Sequence, residues 1–248
     1  MTASFPWYDL PSVQWANDLI WATMYPKASP LNRRTPYQQQ WRSPDLVISQ
    51  ACGLDLYLNS APIEPIFAPI FDLPDCPEGS YFSYLIGRPG KGVAAVNSVT
   101  SRSGFTVLLE HTRPSTLILT GSHRASIDAV RDGSADFACI DAVVWHLLLR
   151  DAPETLGGID IVRRTNFVTA PPYVVRIHAN TDAGVRLCVA MMDPQLQNAR
   201  FALLLRGVMP VEQSSYQDVF DEFERVKPRI PPIGMLTTAA RSAVSDLQ

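Results

Sequence analysis

The chain is short of charge, of cysteine and of long apolar runs. Charged residues make up 18% of its 248 residues, against about 25% in ordinary globular proteins. Apolar residues make up 46%. That balance excludes a disordered chain, which needs low hydrophobicity and high net charge, and a coiled coil, which needs far more Ala, Glu, Lys, Leu and Arg. The uncharged run Thr165 to Val175, eleven residues broken by Pro171 and Pro172, is as long as any; a membrane-spanning helix needs about 18 or more, so none is expected. With 24 acidic and 21 basic residues the net charge is −3, which argues against a generic nucleic-acid binder with a phosphate-matching basic surface. Four cysteines, Cys52, Cys76, Cys139 and Cys188, form no CxxC or Cys/His cluster, so neither a zinc site nor a disulfide scaffold is indicated. Buried thiols are the ordinary reading, and a Cys52–Cys76 bridge stays open because spacing does not give connectivity. A Walker A motif is absent, since Gly90-Lys91-Gly92 lacks its spacing and hydroxyl. Met1 to Pro26 carries no Lys or Arg and lacks the n- and h-regions of a secretory signal. The expectation is a cytoplasmic protein or one whose signal has been removed.

What is present is an alternation of strands and helices. Strands are expected at Leu46 to Ser49, Tyr81 to Ile86, Val93 to Val96, Leu117 to Leu119, Asp136 to Ile140, Ile159 to Val162 and Tyr173 to Ile177. A helix capped by Ser12 runs to about Thr23; others cover Thr106 to His111, Ser122 to Asp132 with Gly133 past the end, and Ala142 to Arg150 capped by Asp141. Further helices are expected at Pro194 to Val208, Ser214 to Val226 and Thr237 to Leu247. Residues 27–44 read as loop, and 61–80, with five prolines, as irregular. The alternation predicts parallel α/β layers, in which ligands bind beyond the carboxyl ends of the strands.

That rule directs attention to the turns Ser49-Gln50, Asn97 to Gly104, Gly121 to Arg124, and Asp141. The second holds four hydroxyls in eight residues before a helix, whose start presents unpaired N–H groups and a partial positive charge. Ser101, Ser103 and the Gly104 amide can therefore meet an oxyanion closely, although ordinary capping is the plainer use of such residues. His123 opens the next helix in the same manner. The segment Leu85 to Arg131 carries +4 and the rest of the chain −7, which makes it a plausible anion trap. Asp141 is an N-cap by the plain reading; as a ligand contact it would accept a proton from a monoprotonated oxyanion or pair with an ammonium, and would penalise an anion with no proton to offer.

These turns, in this order, resemble the phosphate/phosphonate-binding group of type II periplasmic solute-binding proteins, the capture components of ABC importers. The matching stretches are Tyr8-Asp9-Leu10-Pro11, Ser49-Gln50-Ala51-Cys52-Gly53, Tyr81-Phe82-Ser83-Tyr84, Val93 to Gly104 with Ser101-Arg102-Ser103-Gly104, Gly121-Ser122-His123-Arg124-Ala125-Ser126 and Gly133 to Asp141. The likeness runs from residue 8 to about 172. It implies an α/β, two-lobed fold with two crossover strands and a ligand cleft, with one lobe made of 1–83 and 168–248 and the other of 84–167. It implies a protein of the periplasm, no cofactor, a small phosphoryl oxyanion as ligand (phosphate, phosphite or a phosphonate) and an ABC permease as partner. The family's Ser-Thr-Ser turn falls on Ser101, Arg102 and Ser103, its histidine on His123 and its aromatic near the crossover on Tyr81. Arg102 departs from the pattern. Tyr8 and Tyr81 would wall the ligand, with Ser49 and Gln50 beside them. Two other readings stand beside this one. A cytoplasmic sensor or small-molecule synthase could be built on the same fold. A serine hydrolase could use Ser103, His123 and Asp141, although Arg102 and Phe105 leave the Gly-x-Ser-x-Gly elbow unmet.

Overall fold

A computed structural model of the chain describes residues 1–89, 92–179 and 182–230. The helix expected at Thr237 to Leu247 lies outside them. The described chain divides into two units, residues 1–80 with 169–216, and residues 81–168 with 217–230. The short strands Ser80–Tyr81 and Val168–Thr169, which form a two-stranded ladder, are where it passes from one to the other. The amphipathic helix Gln217–Val226, expected in the first lobe, belongs to the second unit. The physical reason is a buried ion pair, described below.

The first unit holds a five-stranded sheet in the order Thr2–Ala3, Leu46–Gln50, Tyr173–Arg176, Ile63–Phe71, Leu205–Pro210. Only its first pair is parallel; the other three are antiparallel, so the expectation of purely parallel layers is corrected to a mixed sheet. The Pro-rich stretch expected to be irregular contains the nine-residue strand Ile63–Phe71, in which Pro65 and Pro69 sit. Both of its ladders slip register, one opposite Pro65 and one at Leu205/Gly207. A missing N–H is tolerated at such bulges. The helix expected over Pro194 to Val208 is a 3-10 turn, Pro194–Leu196, then the helix Gln197–Ala202 and the edge strand Leu205–Pro210. Ser12 caps nothing: the first helix is Gln14–Met24, with Val13 at its N-cap.

Part of this unit's core gathers Trp41, Leu46, Ala51, Ala61, Ile63 and Val174. Trp41 ends the short helix Tyr37–Trp41, inside the stretch read as loop. Its indole Nε1 donates to Ser49 Oγ at 3.2 Å, and Ser49 Oγ also meets Ser4 Oγ at 2.9 Å. None of the four cysteines is in a disulfide, and Cys52 and Cys139 are buried.

The second unit's sheet runs Thr116–Leu119, Val93–Val96, Phe137–Asp141, Ser83–Gly87, Ile161–Arg164. Its first three strands are mutually parallel, and the last two pairings are antiparallel. The parallel trio delivers three strand ends, and the turns after them, to one edge of the sheet. The helix His123–Arg131 ends at Asp132 with Gly133 at φ +81°, a backbone that suits a residue without Cβ.

Ser49→Ala orphans the Trp41 N–H in a dry core. We expect a loss of about 1–3 kcal/mol in urea unfolding, whereas substitution of an exposed serine such as Ser134 should be silent.

Candidate functional site

The turn after Val93–Val96 does not open an ordinary α-helix. Its first helical residues, Arg102–Thr106, form a π-helix that continues as the α-helix Val107–His111. The helix expected from Thr106 thus begins four residues earlier. π-Helical turns are rare and gather at functional sites. Ser101 caps it: its Oγ accepts from the Gly104 N–H at 3.0 Å, and its carbonyl accepts from Phe105 and Thr106 at 3.1 Å. The Gly104 amide, expected to face an oxyanion, is spent on this cap. Gly104 is glycine because a Cβ there would run into Asn97 Oδ1 and stand 3.2 Å from His123 Cε1.

Three of the expected side chains form one chain of contacts. Ser101 Oγ lies 3.3 Å from Ser103 Oγ, and Ser103 Oγ lies 2.9 Å from His123 Nε2. Ser101 and Ser103 are buried. His123 is the first residue of its helix, which Ser122 caps through the Ala125 N–H at 3.0 Å. The residue keeps some exposed surface, but its Nδ1 is sealed from solvent. Burial pushes the imidazole down to about 4, partly countered by the Cys139 backbone. It is neutral at pH 7 and brings hydrogen bonding without charge. Around this chain, Asn97 Oδ1, Arg102 Nη1 and Thr106 Oγ1 are buried and have no hydrogen-bond partner among the described residues. Buried polar atoms are nearly always paired, so the Asn97 and Thr106 orphans mark a place where a ligand can supply partners, while Arg102 Nη1 belongs to a guanidinium turned to Glu222.

Arg102 stands apart from its neighbours. It is 1% exposed, and its Nε and Nη2 donate to Glu222 Oε2 and Oε1 at 2.7 and 2.9 Å. Its guanidinium carbon lies 5.5 Å from the centroid of the Tyr81 ring. Burial opposes the charge, but Tyr81 and Glu222 carry the Arg102 pKa above its ordinary value. The fork is a structural clamp between the turn and the helix Gln217–Val226, and this corrects its expected place among the ligand contacts. Glu222 is absent from the residues expected at the site. A signal for it exists, because Val219, Glu222, Phe223 and Val226 share one helical face, and an acid among three apolar residues asks for a buried partner.

The other expected residues are placed as follows. Tyr81 is 2% exposed and stacked beneath Arg102. Asp141 is buried at the end of its strand, and Oδ1 accepts from the Val143 N–H at 2.7 Å, a working N-cap. Tyr8 packs edge-on against Phe71 at 5.1 Å in the first unit, not at a strand end. Gln50 Oε1 accepts from the Trp7 N–H at 3.2 Å. With Ser49 tied to Trp41 and Ser4, these three residues do core work within their own unit. Asp141, the expected third member of a hydrolase triad, is engaged as the cap of its own helix.

The family model of the ABC transporter, phosphonate, periplasmic substrate-binding protein matches residues 105–216. That stretch includes His123 and Asp141 and begins just after the Ser101–Gly104 turn. No curated protein matches the chain. Solved structures do. A binding protein component of an ABC phosphonate transporter from Pseudomonas aeruginosa is 12% identical, with a TM-score of 0.76 over 98% of this chain and 92% of that one. PhnD1 from Prochlorococcus marinus, in complex with methylphosphonate, is 13% identical, with a TM-score of 0.69 over 92% and 98%. A Xanthomonas citri protein bound to ATP is 14% identical, with a TM-score of 0.61 over 93% and 99%. At these identities the likeness is one of fold, and the fold is the type II periplasmic-binding-protein fold expected from the sequence. The group recognised in the motifs and the group whose family model matches are the same.

Two outcomes test this geometry. Glu222→Ala leaves Arg102 buried and unpaired and should cost about 3–5 kcal/mol in urea unfolding; Arg102→Leu with Glu222→Leu should recover most of that loss. His123 titrates near 4 when folded and near 6.5 when unfolded, so its contribution is complete above pH 6.5 and is lost as the pH falls toward 4. His123→Asn should flatten that part of the stability–pH curve relative to the parent protein.

Proposed function

We propose that the protein captures a small phosphoryl oxyanion (phosphate, phosphite or a phosphonate) for an ABC-type importer and performs no chemistry on it. The observation that carries this reading is the Ser101–Ser103–His123 chain at two successive helix starts, with orphaned buried polar atoms beside it. On binding, the Ser101 and Ser103 hydroxyls give up their mutual hydrogen bond and donate to the anion instead. His123 holds Ser103 in place as a neutral partner. The start of the helical stretch 102–111 contributes its partial positive charge, its Gly104, Phe105 and Thr106 amides being spent on Ser101. Asp141, one strand over on the same sheet edge, reads a proton on the ligand while it caps its own helix. Tyr8, Ser49, Gln50 and Arg102 are not part of the proposed contact set, because the core or Glu222 engages them. The periplasm is the compartment in which the matched family works, and we assign the protein to it.

The energetics suffice. A hydrogen bond to a charged group is worth about 1.5–3 kcal/mol, and a micromolar complex needs about 8 kcal/mol in net terms. The hydroxyls are already dry, so the anion does not have to displace their water.

Titration calorimetry with methylphosphonate, phosphite and phosphate tests the reading. At least one should bind, and Ser103→Ala should weaken it about ten- to a hundredfold while the melting temperature of the unliganded protein barely moves. Unchanged affinity in Ser103→Ala and His123→Ala would remove these residues from the site. Absence of binding by all three anions would remove the function.

A further inference from the structure

The second unit carries an open surface groove of about 390 Å³, whose lining does not include Ser103 or His123 and whose Arg113, Arg163 and Val162 are exposed. It lies where the edge strand Ile161–Arg164 and its neighbour Ser83–Gly87 meet the end of the helix Val107–His111. Its apolar lining is Leu85, Pro89 and Val162, and its polar lining includes His111, Arg113 and Arg163. Among the described residues no carboxylate lines it.

The two arginines of the lining are held differently from each other. Side chains alternate along a strand. Arg164 turns to one face, over the rings of Phe82 and Phe167 at 5.4 and 5.1 Å. Arg163, opposite Leu85 in the ladder, turns to the other face and into the groove wall. Among the described residues the Arg163 side chain makes no hydrogen bond or ion pair. Arg113 is held by one nitrogen only: its Nη1 donates to the Leu109 and Thr112 carbonyls at 3.2 and 2.7 Å. That bond covers carbonyls at the helix end, which would otherwise repel an anion, and it fixes the rest of the fork. The one acid on the neighbouring helix turn, Glu110, is engaged with Arg225 at 3.3 Å.

We propose that this groove is a second ligand site, for an organic carboxylate with an apolar body. Arg163 and Arg113 grip the carboxylate by their forks, a geometry in which guanidinium excels. Leu85, Pro89 and Val162 take the apolar body, which an inorganic oxyanion lacks. A groove of this size lies within the range of about 300–1,000 Å³ typical for small organic ligands and exceeds what a tetrahedral anion fills. His111 adds a donor. Burial holds it below its ordinary value, Arg163 and Arg102 push the same way, and Glu110 and Glu222 oppose them.

The probe is 2-naphthoate, titrated into the ¹⁵N-labelled protein in the presence of saturating methylphosphonate or phosphate, with neutral 2-naphthamide as the control. The carboxylate should shift the backbone amides of Leu85, His111 and Arg163, bind at least about tenfold more tightly than the amide, and weaken with added salt. Arg163→Gln, on an exposed edge strand, should fold normally and lose about fivefold or more in affinity; Ser103→Ala should bind the probe like the parent protein. Equal binding of the carboxylate and the amide would overturn the proposal. So would shifts confined to other residues, or unchanged affinity in both Arg163→Gln and Arg113→Gln. The outcome is independent of whether a phosphoryl anion binds at Ser103.

Discussion

The second unit's chemistry depends on where one guanidinium goes. Arg102 sits between Ser101 and Ser103 at the start of a helical turn. If it pointed with them, the turn would carry a cation at its mouth. Glu222 draws it the other way, through two short hydrogen bonds at positions 1% and 8% exposed. The serines are left to the polar side of the turn and the cation is neutralised. Taking two ions out of water costs several kcal/mol each, so the pair adds little net stability over a well-packed apolar one. It is better explained as a fixing device. A bidentate fork admits a narrow range of angles, and a backbone held on both sides of Arg102 holds Ser101 and Ser103 at their spacing.

The sheet then turns local features into a constellation. Ser101–Gly104 and His123 are nineteen or more positions apart in sequence. They meet because Val93–Val96 and Thr116–Leu119 are adjacent parallel strands, so their following turns leave from the same edge. Asp141 leaves from the next parallel strand. The electropositive balance of residues 85–131, in a chain that is acidic overall, lies on this unit, where a helix start and neutral donors are already aimed at an anion.

Much of the second unit is legible in the amino-acid sequence. The strand Val93–Val96, the helix after Ser122 with Gly133 beyond it, and the helix capped by Asp141 follow from apolar runs bounded by capping residues, and those signals are local. What escapes a reading of the sequence depends on distant partners. Ile63–Phe71 reads as broken because Pro65 and Pro69 lack N–H groups; pairing with two distant strands, with a bulge opposite Pro65, makes it a strand. Leu205–Pro210 reads as helix because its apolar content fits either period, and its pairing with Ile63–Phe71 decides the matter. The place of Gln217–Val226 turns on Arg102, more than a hundred residues away. At the site, Ser101, Ser103 and His123 are readable as hydroxyl and imidazole donors at helix starts. Arg102 reads as a ligand contact because its partner cannot be seen from the turn itself.

The first-unit residues left outside the proposed contact set share a reason for it. Ser49 and Gln50 lie at the end of a strand, where α/β sheets place ligands, and Tyr8 is an aromatic near a chain start. In the first unit, however, that strand runs between a parallel and an antiparallel neighbour. Three large aromatics, Trp7, Trp41 and Tyr173, crowd its end. A strand end walled by indoles needs polar groups to satisfy their N–H donors and the nearby backbone, and Ser49 and Gln50 answer that need first. A strand end is thus a candidate site only where its polar side chains exceed the internal demand. The second unit meets that condition, with hydroxyls to spare; the first does not.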